Sequence, residues 1–452
     1  MPAVKTLQQI AAELQGYDPQ AMSAAQVQDF LSRLVSPVQD AVELPLFEAF
    51  GRVLAADVIS PFDVPPHDNS AMDGYAFDGG QLSADNPLDL VVLAGTALAG
   101  KAWQGSNSLV KPGQCVKIMT GAIMPQGLDT VVPQEFVTVI EDGRICIPAG
   151  LLNPGDNRRL RGEDLMQDRP ALQKGELLTP ARLGLAASLG LKTLTCWRPL
   201  RVAYFSTGDE ILSLGEAPRE GAVYDSNRYT VFGLLSSLGC QIIDMGVVAD
   251  DPALLEAAFT EAAMRADAVI TSGGVSVGEA DYTKAMMKKL GDVAFWRIAM
   301  RPGRPMAVGR ISQEKSGSSP ITASARSYQT HSNPNGAILF GLPGNPVAVM
   351  VTFLAFVRPA LLQMMGASAA PAPLLKARST EAIRKKPGRT EYQRGWVSNG
   401  PDGGLQVKTT GSQGSGVLRS MAEANGLMVL HHSQGNVAVG DEVDVLMFEG
   451  AS

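Results

Sequence analysis

Gly273 and Gly274 follow an apolar, β-branched run, Ala268-Val269-Ile270-Thr271, and precede a polar turn that reaches Asp281. A helical stretch, Tyr282–Leu290, comes next and stops at Gly291. Strand, glycine loop and helix in that order make an anion cradle. Glycine lets backbone N–H groups approach an anion closely, and a helix N-terminus favours negative charge. Glu279 and Asp281 stand in the same turn. Carboxylates beside a phosphate loop imply a hard cation between acid and anion. The plainer reading is a tight turn capped by Asp281. A second cluster, Arg297, Arg301 and Arg304 in WRIAMRPGRP, falls just after a strand-like run. One arginine there would be a solvated strand end. Three close together suit bidentate grip on phosphate or another oxyanion.

These groups need elements to hold them. From Arg198 the chain alternates. Strands are predicted at Arg201–Phe205, Gln241–Val248, Ala268–Thr271, Val293–Ile298, Met306–Val308 and Ala337–Phe340. Helices are predicted after Ser226-Asn227-Arg228, over Pro252–Met264 with Asp251 as cap, over Tyr282–Leu290 and over Pro346–Met365. In the first of these, Tyr229, Phe232, Leu235 and Leu238 mark the apolar side. Such alternation means a doubly wound α/β sheet, parallel in the main, with ligands bound at the carboxyl ends of its strands. The loops STGDE, VVADDP, TSGGVSVGEAD and GLPGNP fall there. Ser312–Gly336 interrupts the block as a serine-rich segment without periodicity, which reads as a mobile surface insertion.

Upstream, residues 1–20 are weakly patterned and read as peripheral. Ser23 caps a helix with Val27, Phe30, Leu31 and Leu34 on one face. A second helix is read over Leu46–Ala56. The segment FDVPPHDNSAMDGYAFDG is too broken for a regular element. Short strands follow at Leu88–Leu93, Cys115–Met119, Thr130–Val132, Phe136–Ile140 and Arg144–Ile147, then a helix over Pro180–Leu189. After Pro373 come five more short strands, as in a small barrel. The expected domains are a discontinuous helical one (1–59 with 149–190), a β domain (60–148), the α/β domain (191–367) and a C-terminal β-barrel-like domain (368–452).

Composition bounds the function. A chain of 452 residues is long for one domain on a prior of about 150 residues each. Net charge is −7, which argues against a general binder of nucleic acid or anionic membrane, so an anionic ligand needs a local basic cluster. Cys115, Cys146, Cys196 and Cys240 lie far apart and read as reduced thiols of a cytoplasmic protein. No stretch reaches the roughly 18 uninterrupted apolar residues of a membrane helix, and the N-terminus lacks the apolar core of a signal peptide.

Two motifs mislead. Gly95–Ala102 approaches a P-loop, yet Ala102 stands where a hydroxyl must hold magnesium. Gly274-Val275-Ser276-Val277-Gly278 fits a nucleophile elbow. Its histidine would be His331, in the insertion, or His431 or His432, in the last β domain.

Taken in order, FDVPPHDNSAMDGYA, KIMTGAIMP, LRGEDL, AYFSTGDEI, YDSNR, TSGGVSVGEADY, RPGRP, GLPGNPV and RTEYQRG…GSQGS closely resemble the molybdopterin molybdenumtransferase family, which includes the E domain of gephyrin. The match runs from about residue 25 to 447. The resemblance implies insertion of molybdate into adenylylated molybdopterin with release of AMP, assisted by Mg2+ or a similar dication. It implies a homodimer, and functional neighbours in the molybdopterin adenylyltransferase and the proteins that mature molybdoenzymes.

Carried over, the catalytic positions are Asp73, Thr120, Asp164, Glu210, Asp250, Asp281, Arg297 and Arg301. Substrate-binding positions are Gly273, Gly274, Ser276, Arg304, Arg394 and Ser415, and Asp250 and Asp281 are the metal ligands. The acids then hold metal and pterin while arginines hold oxyanions. Arginine stands at 297, 301 and 304 where the family usually has lysine, and Ala348 where it often has serine. Two alternatives share the fold: an adenylyltransferase of the preceding step, and a non-catalytic scaffold.

Overall fold

The structure, a computed structural model, describes residues 5–104, 109–275, 281–311, 336–368 and 371–448, with backbone only for 281–285. By its contacts the chain forms two compact units. One comprises Met1–Ala55, Lys174–Thr179 and Thr195–Ser452; the other comprises Ala56–Gln173 and Pro180–Leu194.

The first unit begins with helices α1 (Leu7–Glu13) and α2 (Ala24–Leu34). Each starts in a capping box, Thr6 with Gln9 and Ser23 with Gln26. Leu7 and Ile10 of α1 are buried, so residues 1–20 are not peripheral throughout. One helix of seven residues is too short to show a period. On α2 the buried face is Val27, Phe30, Leu31 and Leu34, as the spacing predicts.

The expected helix over Leu46–Ala56 does not form. Ala41–Pro45 is a strand, Leu46–Glu48 is one 3-10 turn, and Gly51 turns the chain at φ +70°. Val53 and Leu54 then pair with Leu177 and Cys196, so their backbone groups are satisfied by neighbours rather than by a helix.

The α/β body contains β1 (Arg201–Thr207), α3 (Ser226–Ser237), β2 (Gln241–Val248), α4 (Pro252–Arg265), β3 (Ala268–Ser272), α5 (Asp281–Leu290), β4 (Gly291–Arg297), β5 (Met300–Arg301), β6 (Pro305–Ile311) and β7 (Ala337–Leu342). The sheet order is β2-β1-β3-β7-β6-β4. Its first four strands are parallel; β6 and β4 are antiparallel additions at one edge, and the short link 298–304 between β4 and β6 allows no crossover. One apolar core lies on the face bearing Val202 and Ile270, another on the face bearing Phe205 and Val269.

On α3 the buried apolar residues are Val231 and Leu235, while Tyr229 and Phe232 are half exposed at 48% and 52%. The aromatic stripe therefore faces outward. Pro346–Met364 runs as α6 (Pro346–Thr352), a π turn and α7 (Arg358–Met364). It is long and apolar enough to cross a membrane by composition, but 67% of its apolar window is buried in the protein, as a core helix.

The C-terminal strands are β8 (Leu375–Ser379), β9 (Thr390–Asn399), β10 (Leu405–Thr409), β11 (Gly426–Leu430) and β12 (Glu442–Met447). The order β9-β10-β8-β12-β11 closes on itself through the β11–β9 pairing, giving a small barrel. β5 adds to it in parallel with β9, Arg301 opposite Glu391, so the barrel is stitched to the α/β body by the segment that carries the arginines.

In the second unit, strands Thr130–Pro133, Gly74–Phe77, Gln114–Ile118, Leu88–Ala97, Arg144–Ile147 and Thr138–Ile140 form one six-stranded sheet in that order. The broken segment around Asp73 thus does yield a strand, because Gly74–Phe77 finds partners on both sides. Helix Pro180–Ser188 also belongs to this unit. The insertion at 312–336 lies, apart from Gly336, outside the described residues.

Candidate active site

Parallel register puts the ends of β1, β2, β3 and β7 on one edge of the sheet, with Thr207 opposite Val248 and Ser272 opposite Ser206 and Leu342. The four glycine- and acid-bearing loops share this rim. At its centre Gly273 and Gly274 have φ of +96° and +67°. A Cβ on Gly273 would meet the carbonyl oxygen of Thr207 at 2.4 Å, so only glycine lets the two strand ends lie this close. The Thr207 hydroxyl beside it is buried without a hydrogen-bond partner among the described residues. Ser276 and Glu279 lie outside the described residues, and Asp281 is placed by its backbone alone, as the first residue of α5.

The acids gather on the loops after β1 and β2. The backbone N–H of Asp250 donates to Asp209 Oδ1 at 3.1 Å. Burial pushes the Asp250 carboxyl up, and the like charges of Asp209 and Glu210 push it further. Glu210 folds back over Gly208. Among the described residues no group of three or more metal-ligating side chains is assembled. Asp209, Glu210 and Asp250 are nonetheless hard oxygen donors of the kind a magnesium ion takes.

Beside the rim a cavity of about 370 Å³ is lined by Arg301, Arg304, Asn345, Arg389, Gln413 and Ser415 among others. The loop Pro343–Asn345 is common to rim and cavity. Gly303 makes the RPGRP turn possible: its φ is +94°, and a Cβ there would meet Thr352 Oγ1 at 2.5 Å. Arg301 and Arg304 are exposed to the cavity. Arg389 donates from Nε to Glu391 Oε1 at 2.8 Å, and the buried Glu391 is held in turn by Gln393 Nε2 at 3.1 Å.

Arg394 differs from its neighbours. It is 1% exposed, and its guanidinium donates to Ser420 Oγ and to the carbonyls of Ser412, Gln413 and Gly414. An adjoining cavity of about 280 Å³ contains Arg301, Arg394, Glu381 and Glu391 in its wall. Arg297 ends the edge strand β4, its backbone bonded to Pro19 and Met22, and lines neither cavity.

In the second unit Thr120 donates to Asp73 Oδ1 from both N and Oγ1, at 2.7 and 2.6 Å. These bonds, the hydroxyl's first, hold the Asp73 carboxyl below its ordinary value. Asp164 is exposed in a turn whose backbone bonds to Val64.

Sequence reasoning passed over Asp209, Asn345, Arg389 and Gln413. Arg389 and Arg394 share one motif, and only the closed barrel decides which points at the cavity. Burial on both faces of β9 removes the alternation that would have separated them.

The MoeA N-terminal region (domain I and II) matches residues 22–190, a probable molybdopterin binding domain matches 203–363, and the MoeA C-terminal region (domain IV) matches 376–448. A molybdopterin molybdenumtransferase of Haemophilus influenzae is 40% identical over 92% of this chain and 96% of its own length. The chain belongs to the molybdopterin molybdenumtransferase family. Gephyrin of Dictyostelium discoideum is 29% identical over 90% of this chain and 59% of its own. The crystal structure of the molybdopterin biosynthesis moeA protein from Pyrococcus horikoshii covers 95% of this chain with a TM-score of 0.74 at 26% identity. A molybdopterin molybdenumtransferase of Nostoc sp. is 35% identical over 90% of this chain and 89% of its own length.

Proposed function

We propose that this chain inserts molybdate into adenylylated molybdopterin, releasing AMP and giving molybdenum cofactor. The observation that carries the reading is the convergence of Arg301, Arg304 and Arg389, with Ser415 and Gln413, on a cavity that shares a loop with the glycine rim. Guanidinium forks and hydroxyls suit a tetrahedral dianion, and the glycine rim suits the phosphates of a nucleotide-linked substrate. Asp250, with Asp281 from the neighbouring loop, would hold the magnesium ion. Bound there, magnesium neutralises charge developing on the phosphate oxygens as the anhydride to AMP breaks. The arginines then orient the oxyanion, and the buried Glu391 keeps Arg389 in place for it.

Asp73 and Thr120 form a preset pair on the second unit and fit a role in binding substrate. Exposed Phe47, Phe50, Tyr229 and Phe232 support a homodimer, and the unpaired thiols a cytoplasmic setting. An upstream adenylyltransferase would deliver the substrate and molybdoenzyme-maturation proteins would take the product.

The test supplies purified chain with adenylylated molybdopterin, molybdate and magnesium. Release of AMP together with activation of an apo-molybdoenzyme is expected. Adenylylation of molybdopterin from ATP, or no molybdate-dependent AMP release, would replace this reading with the earlier step or with a scaffold.

A further inference from the structure

Arg394 lies in the wall of the smaller cavity that adjoins the oxyanion cavity, with Arg301, Pro302 and Gln413 common to both. Its Nε donates to Ser420 Oγ at 3.0 Å, Nη1 to Gln413 O at 3.2 Å, and Nη2 to Ser412 O and Gly414 O at 3.0 and 2.9 Å. The backbone repeats the link: Arg394 N donates to Gln413 Oε1 at 2.8 Å, and Gln413 Nε2 donates back to Arg394 O at 3.2 Å. The whole segment Ser412–Gly414 is thus fastened to one residue of β9. Ser415 follows directly, lines the cavity, and accepts at its carbonyl from Val347 N in the first turn of α6 at 3.2 Å.

No carboxylate pairs with Arg394 among the described residues. A buried cation satisfied by carbonyl dipoles keeps its charge while its donors are engaged. Burial pushes its pKa down to about 10, with help from Arg301, which leaves it ionised at neutral pH. Most of its donors face the loop and not the cavity, so direct grip on a ligand is the weaker use of this geometry.

We propose that Arg394 is a positioning residue: it clamps the Ser412–Gly414 carbonyls so that Ser415 presents its polar groups to the oxyanion bound by Arg301, Arg304 and Arg389. This rests on the molybdate-binding reading above. Lysine at 394 would keep the charge but present one nitrogen where four acceptors are spread in a fan.

The experiment is a double-mutant cycle on the full-length protein with molybdate alone as probe. Wild type, R394K, S415A and R394K/S415A are titrated by calorimetry, and amide exchange across 412–417 and at Val347 is followed. A single lost contact weakens binding by about tenfold, roughly 1.4 kcal/mol. Both single variants are expected near that loss, and the double variant no weaker than S415A alone, with faster exchange at 412–417 in R394K. Independent losses that multiply to about a hundredfold would overturn the proposal, because Arg394 would then act on the ligand directly. Lower thermal stability with unchanged molybdate affinity in R394K would overturn it as well, since the clamp would serve folding only. Absence of molybdate binding to the wild type would instead remove the functional reading on which the proposal stands.

Discussion

The side-chain amide of Asn227 donates to the carbonyl oxygen of Gly344 at 2.7 Å. Asn227 opens α3, and Gly344 belongs to the loop that lines the arginine cavity. One bond therefore ties the start of a helix to the loop shared by the rim and the arginine cavity. Asn227→Ala is expected to cost about 0.5–1.5 kcal/mol, the net contribution of one hydrogen bond, because the Gly344 carbonyl it leaves is exposed and can turn to water. The KM for molybdate should rise with it. Asn227→Asp should be worse, because the neighbouring cap Asp225 is buried and its Oδ2 already lacks a partner among the described residues. Thermal melts of both variants decide this; an aspartate variant as stable as wild type at neutral pH would disprove it.

At the opposite edge of the sheet Asp267 is buried between Arg198 and Arg201. It receives Arg198 Nη1 at 2.7 Å, Arg198 Nη2 at 2.9 Å and Arg201 N at 2.9 Å. Burial alone would raise its pKa, but the bonds from the two arginines outweigh that and hold it below 3.8. A depressed carboxyl contributes stability that is fully present above the unfolded value and is lost as pH falls through the folded one. Acid unfolding of the α/β body should therefore set in below about pH 4, the ordinary carboxylate range. Asp267→Ala should cost about 3–5 kcal/mol, as when one partner of a buried pair is removed. An unshifted denaturant midpoint would rule this out.

The fold and the site are legible in the sequence wherever their signals are local. The caps Ser23 and Asp251 bond as their types predict, and the alternation from Arg201 to Leu342 gives the sheet and its rim. The barrel is legible as short strands, but its closure through β9 and β11 depends on pairings far apart in sequence. Leu46–Ala56 looked helical because its apolar residues recur at helical spacing, whereas distant strands claim its backbone. Aromatic type and spacing point to Tyr229 and Phe232 as core, but on α3 the small Asn227 and branched Val231 face inward instead. The roles of Arg389 and Arg394 separate only when carbonyls from the GSQGS loop are in place.

Asp250 behaves oppositely to Asp267. Its carboxyl is raised by burial, then by Asp209 and Glu210, so it opposes folding when ionised and stability increases as pH falls through its folded value. Asp250→Asn is expected to raise the melting temperature at neutral pH while removing the response to magnesium, a trade between stability and site chemistry. Asp209→Asn removes one repelling charge. The onset of acid loss of magnesium response should then move to lower pH. Magnesium titrations over an acidic pH series measure it, and an onset identical to wild type would refute the coupling.

Arg389 supplies the last contrast. It lies 40% exposed in the cavity wall with Glu391, at 4%, directly behind it. The carboxylate fixes one edge of the guanidinium, so an incoming oxyanion meets a fork already oriented. Arg389→Gln removes fork and charge together and should raise the KM for molybdate by at least about tenfold, since a charge-assisted bond contributes roughly 1.5–3 kcal/mol. Arg389→Lys should recover only part of this, because charge returns without the planar geometry. Glu391→Gln should weaken molybdate binding less than Arg389→Gln does, as the guanidinium remains but loses its anchor. Full retention of molybdate affinity in Arg389→Gln, in a protein that still melts as wild type, would show that Arg301 and Arg304 hold the anion by themselves.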